Sequence, residues 1–271
     1  MWHDTAPHQA AGLQRLMAEQ PLRLLPVVCP ATPNPAALEL LWQLCAVLQR
    51  LSYPVIVLDG SAAEGRHAPG LAELLAGMPW PGEPDPGASS ALAIVPAARG
   101  LARLARRDRS TGAADPLAPL APLFRNYAAV ALHASAEQLA PLVQHRRDCV
   151  PLVVTGPRAR GMVAGYRQLK HLVLHAAISR CMVAALRPHA VPAADRQTTE
   201  ALQALQRSAR QHLGLRCHGT VVAPGRLQDI QRLALQLLEN GCTMDTAGER
   251  QGGCLPFGRD ACASFFPECS H

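Results

Sequence analysis

The stretch from Leu22 to Ser61, LRLLPVVCPATPNPAALELLWQLCAVLQRLSYPVIVLDGS, constrains the fold of this chain more than any other. An apolar run from Leu22 to Cys29 leads into a Pro-rich loop. A segment from Ala36 to Leu51 follows with apolar residues at helical spacing, then a second apolar run that ends at Asp59. Short apolar runs bounded by turn residues read as buried strands, and the 3.6-residue period between them reads as a helix. The unit is βαβ.

In a parallel α/β sheet the loop after the first strand, at the N-terminus of the helix, holds a phosphate through backbone N–H groups and the helix dipole. Here that loop is CPATPNPAAL, with Pro30, Pro33 and Pro35 where donors are needed. Proline has no N–H to give. A Walker loop also needs a lysine on the β/γ-phosphates and a Ser or Thr on magnesium. The only lysine of the chain is Lys170, far away in a helical pattern. The expected scaffold is that of a nucleotide-binding protein without its phosphate site.

The alternation continues along the chain. Strands are expected at Ala91 to Pro96, Ala128 to His133, Val150 to Thr155, Ser179 to Leu186 and Cys217 to Val222. Helices are expected at Pro69 to Met78, Ala98 to Arg109, Pro116 to Tyr127 (interrupted by prolines), Ala136 to Arg146, Arg158 to Ala177, Ala193 to Leu213 and Arg226 to Asn240, the last closed by Gly241 as a C-cap. Strands alternating with helices of this length indicate a doubly wound, mostly parallel α/β sheet. An amphipathic helix at His8 to Glu19 precedes it, so the organisation reads as an arm over 1–21, an α/β domain over 22–241 and a Cys-rich tail over 242–271.

A chain of 271 residues can bury a sizeable core. The net charge of +6 is spread along the sequence and marks no nucleic-acid stripe. The arginines Arg99, Arg103 and Arg106 lie opposite Leu101 and Leu104 and read as a solvated face. No charged-then-apolar leader opens the chain and every apolar run is interrupted before it could span a bilayer, so a cytoplasmic protein is expected. Cys29, Cys45, Cys149, Cys181 and Cys217 lie in expected strands and helices, where free cysteines serve as small apolar groups.

Three stretches together resemble the MinD/ParA-like P-loop ATPases (the SIMIBI class) and, among them, the flagellar-number regulators FlhG, FleN and YlxH. HQAAGLQRL, His8 to Leu16, is similar to the family's N-terminal DQAxxLR arm. The βαβ unit with VIVLDG is the second stretch. The third is PLVVTGPRARGMVAGYRQLKHL, Pro151 to Leu172, which resembles the family's strand, turn and AY-x-x-x-K helix.

The resemblance implies a MinD-like fold and a site in which the ATPase residues are replaced. The family's KGGVGK[ST] falls on Thr32 to Leu38. Thr32 takes the place of the signature lysine, Ala37 of the Walker lysine and Leu38 of the magnesium-binding hydroxyl. Asp59 is kept, Ser61 stands at the family's second aspartate, and His133 stands at the switch-II aspartate. Phosphoryl transfer depends on positioning and charge at these positions. The expectation is a non-catalytic chain that binds neither ATP nor magnesium and forms no nucleotide-sandwich dimer.

In the family the arm stimulates the signal-recognition-type GTPase FlhF. The corresponding residues here are Gln9, Ala10, Leu13, Arg15 and Leu16, with His8 for the Asp and Gln14 where the Arg is expected. The expected partner is therefore an FlhF-type GTPase or another flagellar regulator, which could recruit the chain to the cell pole or the inner membrane face. No nucleic-acid contact and no stable membrane insertion are expected. Two alternatives remain open: a pseudo-ATPase adaptor in another positioning or export system, and a metal or cluster carrier using Cys254, Cys262, Cys269 and His271. His171 and His175, at i and i+4, have a zinc-compatible spacing but lack an HExxH glutamate.

Overall fold

A computed structural model describes residues 21–29, 35–65, 68–79, 92–111, 115–187 and 192–244. The arm residues, Thr32 and the tail residues Cys254, Cys262, Cys269 and His271 lie outside them.

The elements run β1 (Arg23–Val28), α1 (Pro35–Arg50), β2 (Val55–Asp59), α2 (Leu71–Leu74), β3 (Ala93–Pro96), α3 (Ala98–Thr111), α4 (Leu120–Leu123), β4 (Ala129–Ala134) and α5 (Ala136–Val143). They continue with β5 (Leu152–Thr155), α6 (Ala159–Ala176), β6 (Arg180–Leu186), α7 (Pro192–Leu213), β7 (Arg216–Val222), α8 (Leu227–Glu239) and β8 (Cys242–Thr243). Among the described residues eight strands form one sheet, seven of them in the order β3-β2-β4-β1-β5-β6-β7. Every pairing along that path is parallel, whereas β8 pairs antiparallel with the start of β1. This is the doubly wound, mostly parallel α/β sheet expected from the sequence.

Side chains of a strand alternate between faces, and here the two faces bury separate cores. Leu24, Val28, Ile56, Leu58, Val130 and Leu132 join the core under α3, α5, α6 and α7. Leu25, Val27, Val55, Val57, Ala129 and Ala131 join the core under α1 and α8. Because both faces are covered, the central strands read as continuous apolar runs. The same parity puts Asp59 and His133 on the α1 side of the sheet.

Helix α1 begins at Pro35, where the missing N–H costs nothing and the fixed φ suits a first turn. It buries Ala37, Leu40, Leu41, Leu44, Cys45, Val47 and Leu48. At β5–α6 two glycines permit close packing. A Cβ on Gly165 would lie 2.4 Å from Thr155 Cγ2, and one on Gly161 would lie 2.8 Å from the Gly156 backbone.

Three expectations need correction. The helices expected over 69–78 and 116–127 shrink to single turns, Leu71–Leu74 and Leu120–Leu123; in the second, Pro119 and Pro122 withhold the N–H groups a longer helix requires. Gly241 is not a left-handed cap, since α8 ends at Asn240 with φ −89° and Gly241 is absent from the positive-φ residues. The domain also continues past 241. Cys242–Thr243 pairs with Arg23–Leu24, and the Met244 N–H donates to the Leu22 carbonyl at 2.7 Å, so Cys242 is part of the folded sheet and not of a tail.

Candidate functional site

The carboxyl ends of β1, β2 and β4 carry the positions where the resemblance places nucleotide chemistry. β2 lies next to β4, which lies next to β1, and the register sets Asp59 beside His133 and His133 beside Val27. Neighbouring strands thus force two side chains 74 residues apart into contact.

Three contacts converge on one oxygen of Asp59. Its Oδ1 accepts the Ser61 N–H at 2.9 Å and the Ser61 hydroxyl at 2.7 Å, and the His133 Nδ1–H at 3.1 Å. Burial alone would push the Asp59 carboxyl up, but the hydrogen bonds from His133 and Ser61 and the His133 charge bring it down to about 2. For His133 burial acts downward, and hydrogen bonds and charge from Asp59 and Cys29 overcome it, raising the imidazole to about 9. The pair is therefore ionised across the physiological range, a carboxylate neutralised by an imidazolium that is almost wholly buried, its side chain 4% exposed.

The surroundings are apolar. Ala37, which the resemblance sets at the Walker-lysine position, is buried in the first turns of α1, and Leu38, which it sets at the magnesium-hydroxyl position, is partly exposed. Leu38, Leu41, Trp42, Cys45 and Ile94 close around the Asp59–His133 pair in a cavity of about 150 Å³. Burial pushes the Cys45 thiol up to about 12, so it stays protonated. A divalent cation needs oxygen ligands. Here the nearest charge to Asp59 is positive, and Leu38 offers no oxygen. Among the described residues, this pair and Leu38 therefore offer a divalent cation no second acidic or hydroxyl ligand.

The residues that follow His133 fasten structure. Ser135 caps α5: its hydroxyl accepts from Gln138 N at 3.2 Å and the Gln138 carboxamide accepts from Ser135 N at 3.0 Å. The same carboxamide donates to the Gly60 carbonyl at 2.9 Å, tying α5 to the turn after Asp59. Beyond that turn, Glu64 is buried and its two oxygens accept Ala72 N at 3.0 Å and Gly100 N at 2.8 Å. One carboxylate thereby satisfies the first turns of both α2 and α3. From α6, the Gln168 carboxamide donates to the Cys29 carbonyl at 3.0 Å.

Sequence reasoning named Ala37, Leu38, Asp59, Ser61 and His133, and Asp59, Ser61 and His133 meet directly while Leu38 borders the same cavity. It missed Glu64 and Gln168, which carry no motif, and Gln138, whose S-x-x-Q spacing from Ser135 was a readable capping signal. His171 and His175 stack on α6 with ring centroids 4.3 Å apart. Among the described residues no group of three or more His, Cys, Asp or Glu is placed to hold a metal ion, and no helix is long and apolar enough to cross a membrane.

No family model matches the chain, and no curated protein matches it by sequence. Solved structures match it by fold. The MinC:MinD cell division protein complex of Aquifex aeolicus gives a TM-score of 0.47 at 12% identity, over 80% of this chain and 93% of that one. A plasmid partition protein from Borrelia burgdorferi gives 0.48 at 10% identity, over 82% and 97%. The ParA of pNOB8, solved bound to nonspecific DNA, gives 0.53 at 9% identity, over 81% of this chain and 99% of that one. The ParA likeness identifies the architecture: the chain has a ParA-like, mostly parallel α/β fold.

Proposed function

We propose that this chain is a non-catalytic MinD/ParA-like protein of the flagellar-number regulator type, acting by protein contact and independently of ATP. The observation that carries the reading is the Asp59–His133 ion pair. In place of two acidic groups that would hold magnesium and orient a water, the carboxyl ends of β2 and β4 hold an internally neutralised couple. Ala37 and Leu38 add an apolar start to α1 where charge and a hydroxyl would be required.

Regulation of flagellar number through an FlhF-type GTPase rests on the likeness of His8 to Leu16 to the family's arm. The experiment is GTP hydrolysis by the FlhF-type GTPase of the same organism, with the full chain and with a form lacking residues 1–20. Stimulation by the full chain without ATP, lost with the arm, is the expected result. No stimulation and no binding by the full chain would overturn the flagellar assignment.

A further inference from the structure

The amino ends of the strands, opposite the Asp59–His133 pair, hold a second polar cluster that the proposed function does not use. Arg146 follows α5 and reaches three partners. Its Nε donates to Asp115 Oδ1 at 3.2 Å, and its Nη2 to Asp115 Oδ2, a two-pronged pairing that fixes the guanidinium. Its Nη1 donates to the Thr243 carbonyl at 2.9 Å and points a further N–H at Cys242 Sγ, 3.9 Å away. Three residues after Arg146, Cys149 lies beside Cys242, near enough for the two thiols to influence each other's ionisation. Both cysteines are buried, at 1% and 8% exposure. Cys242 nevertheless lines, together with Arg146, a cavity of about 610 Å³ that opens to solvent.

We propose that Cys242 and Cys149 form a reversible thiol-oxidation site, in which Cys242 reacts with a peroxide and Cys149 resolves the product to an intramolecular disulfide. Three observations set the roles. Cys242 alone of the two lines the cavity, and Arg146 stands against its sulfur. The neighbouring thiol of Cys149 and the Arg146 charge outweigh burial and lower Cys242 to about 7, while Cys149 is held protonated by the neighbouring Cys242 and by burial. A thiolate beside a guanidinium and within reach of a second thiol is the arrangement that oxidises selectively.

In the first step the Cys242 thiolate attacks one oxygen of hydrogen peroxide. The S–O bond forms, the O–O bond breaks, and hydroxide leaves to be protonated to water; the sulfur is oxidised by two electrons and the peroxide reduced. In the second step the Cys149 sulfur attacks the sulfenyl sulfur of Cys242. The S–S bond forms, the S–O bond breaks, and the departing hydroxide takes the Cys149 proton as water. A dithiol reductant restores both thiols. The bridge would staple β8 to the turn before β5 and close a loop from Cys149 to Cys242, removing conformations from the unfolded chain.

The test treats the full-length protein with equimolar hydrogen peroxide at pH 7, blocks remaining thiols and digests with trypsin. Peptides 148–158 and 233–250 each contain one cysteine, Cys149 and Cys242. Their cross-linked product, lost on dithiothreitol treatment, is the expected dominant disulfide. It should form about tenfold faster in native buffer than in urea, where an ordinary thiol replaces the activated one. In Cys149→Ser, dimedone should trap a sulfenic acid on Cys242. Equal rates in urea and native buffer, or Cys242 linked mainly to Cys254, Cys262 or Cys269 in native wild type, would overturn the proposal.

Discussion

The two ends of the sheet both carry a positive charge beside a carboxylate, buried at His133 and half-buried at Arg146, and they differ in what that charge leaves open. At the carboxyl end, His133 and Ser61 converge on Asp59 Oδ1 inside a cavity of about 150 Å³ lined by Leu38, Leu41 and Trp42. At the amino end, Arg146 pairs with Asp115 and still reaches Thr243 and Cys242 on the wall of a cavity of about 610 Å³. The first arrangement consumes the chemistry of its residues; the second leaves a sulfur activated. The carboxyl end is thus the quieter of the two in this chain.

The largest effect is expected from breaking the amino-end cluster. Arg146→Met should lower unfolding stability by about 3 kcal/mol in urea titrations, because it strands a half-buried carboxylate on Asp115 and releases β8. Next comes the brace beside the carboxyl end. Glu64→Ala leaves the N–H groups of Ala72 and Gly100 without their acceptor, at a cost of about 2–3 kcal/mol, read in the same titration.

The Asp59–His133 pair should be visible in the pH dependence. His133 titrates at about 9 in the fold against an ordinary 6.5, so its stabilisation is complete below 6.5 and lost as pH rises through 9. Between those values the wild type should lose on the order of 2 kcal/mol more than His133→Asn, read by denaturation at stepped pH. The acid side has the opposite sign and a smaller effect. Asp59 is depressed to about 2, so its contribution is present above about 4 and lost as pH falls through 2. Asp59→Asn should flatten that limb by about 1 kcal/mol.

The fold was legible because a parallel sheet covered on both faces writes its strands as unbroken apolar runs, as in VIVLD and LVVT. What stayed illegible depends on strand order in space. That Asp59 touches His133 follows from β2 lying against β4, with β3 on the outer edge, and no local pattern in the sequence encodes that arrangement. The two-residue strand Cys242–Thr243 was too short to show a period, and its partner Arg23–Leu24 lies at the other end of the domain. Glu64 sits in SAAEGRH, a stretch that reads as an ordinary loop until α2 and α3 bring their first turns to its carboxylate.

The proposed function requires that the carboxyl end of this sheet does not bind nucleotide. Calorimetric titration of the full-length protein with ATP and magnesium tests it most directly. The account predicts no saturable heat at any magnesium concentration, for the wild type and for His133→Asn alike. Micromolar, magnesium-dependent ATP binding would contradict it.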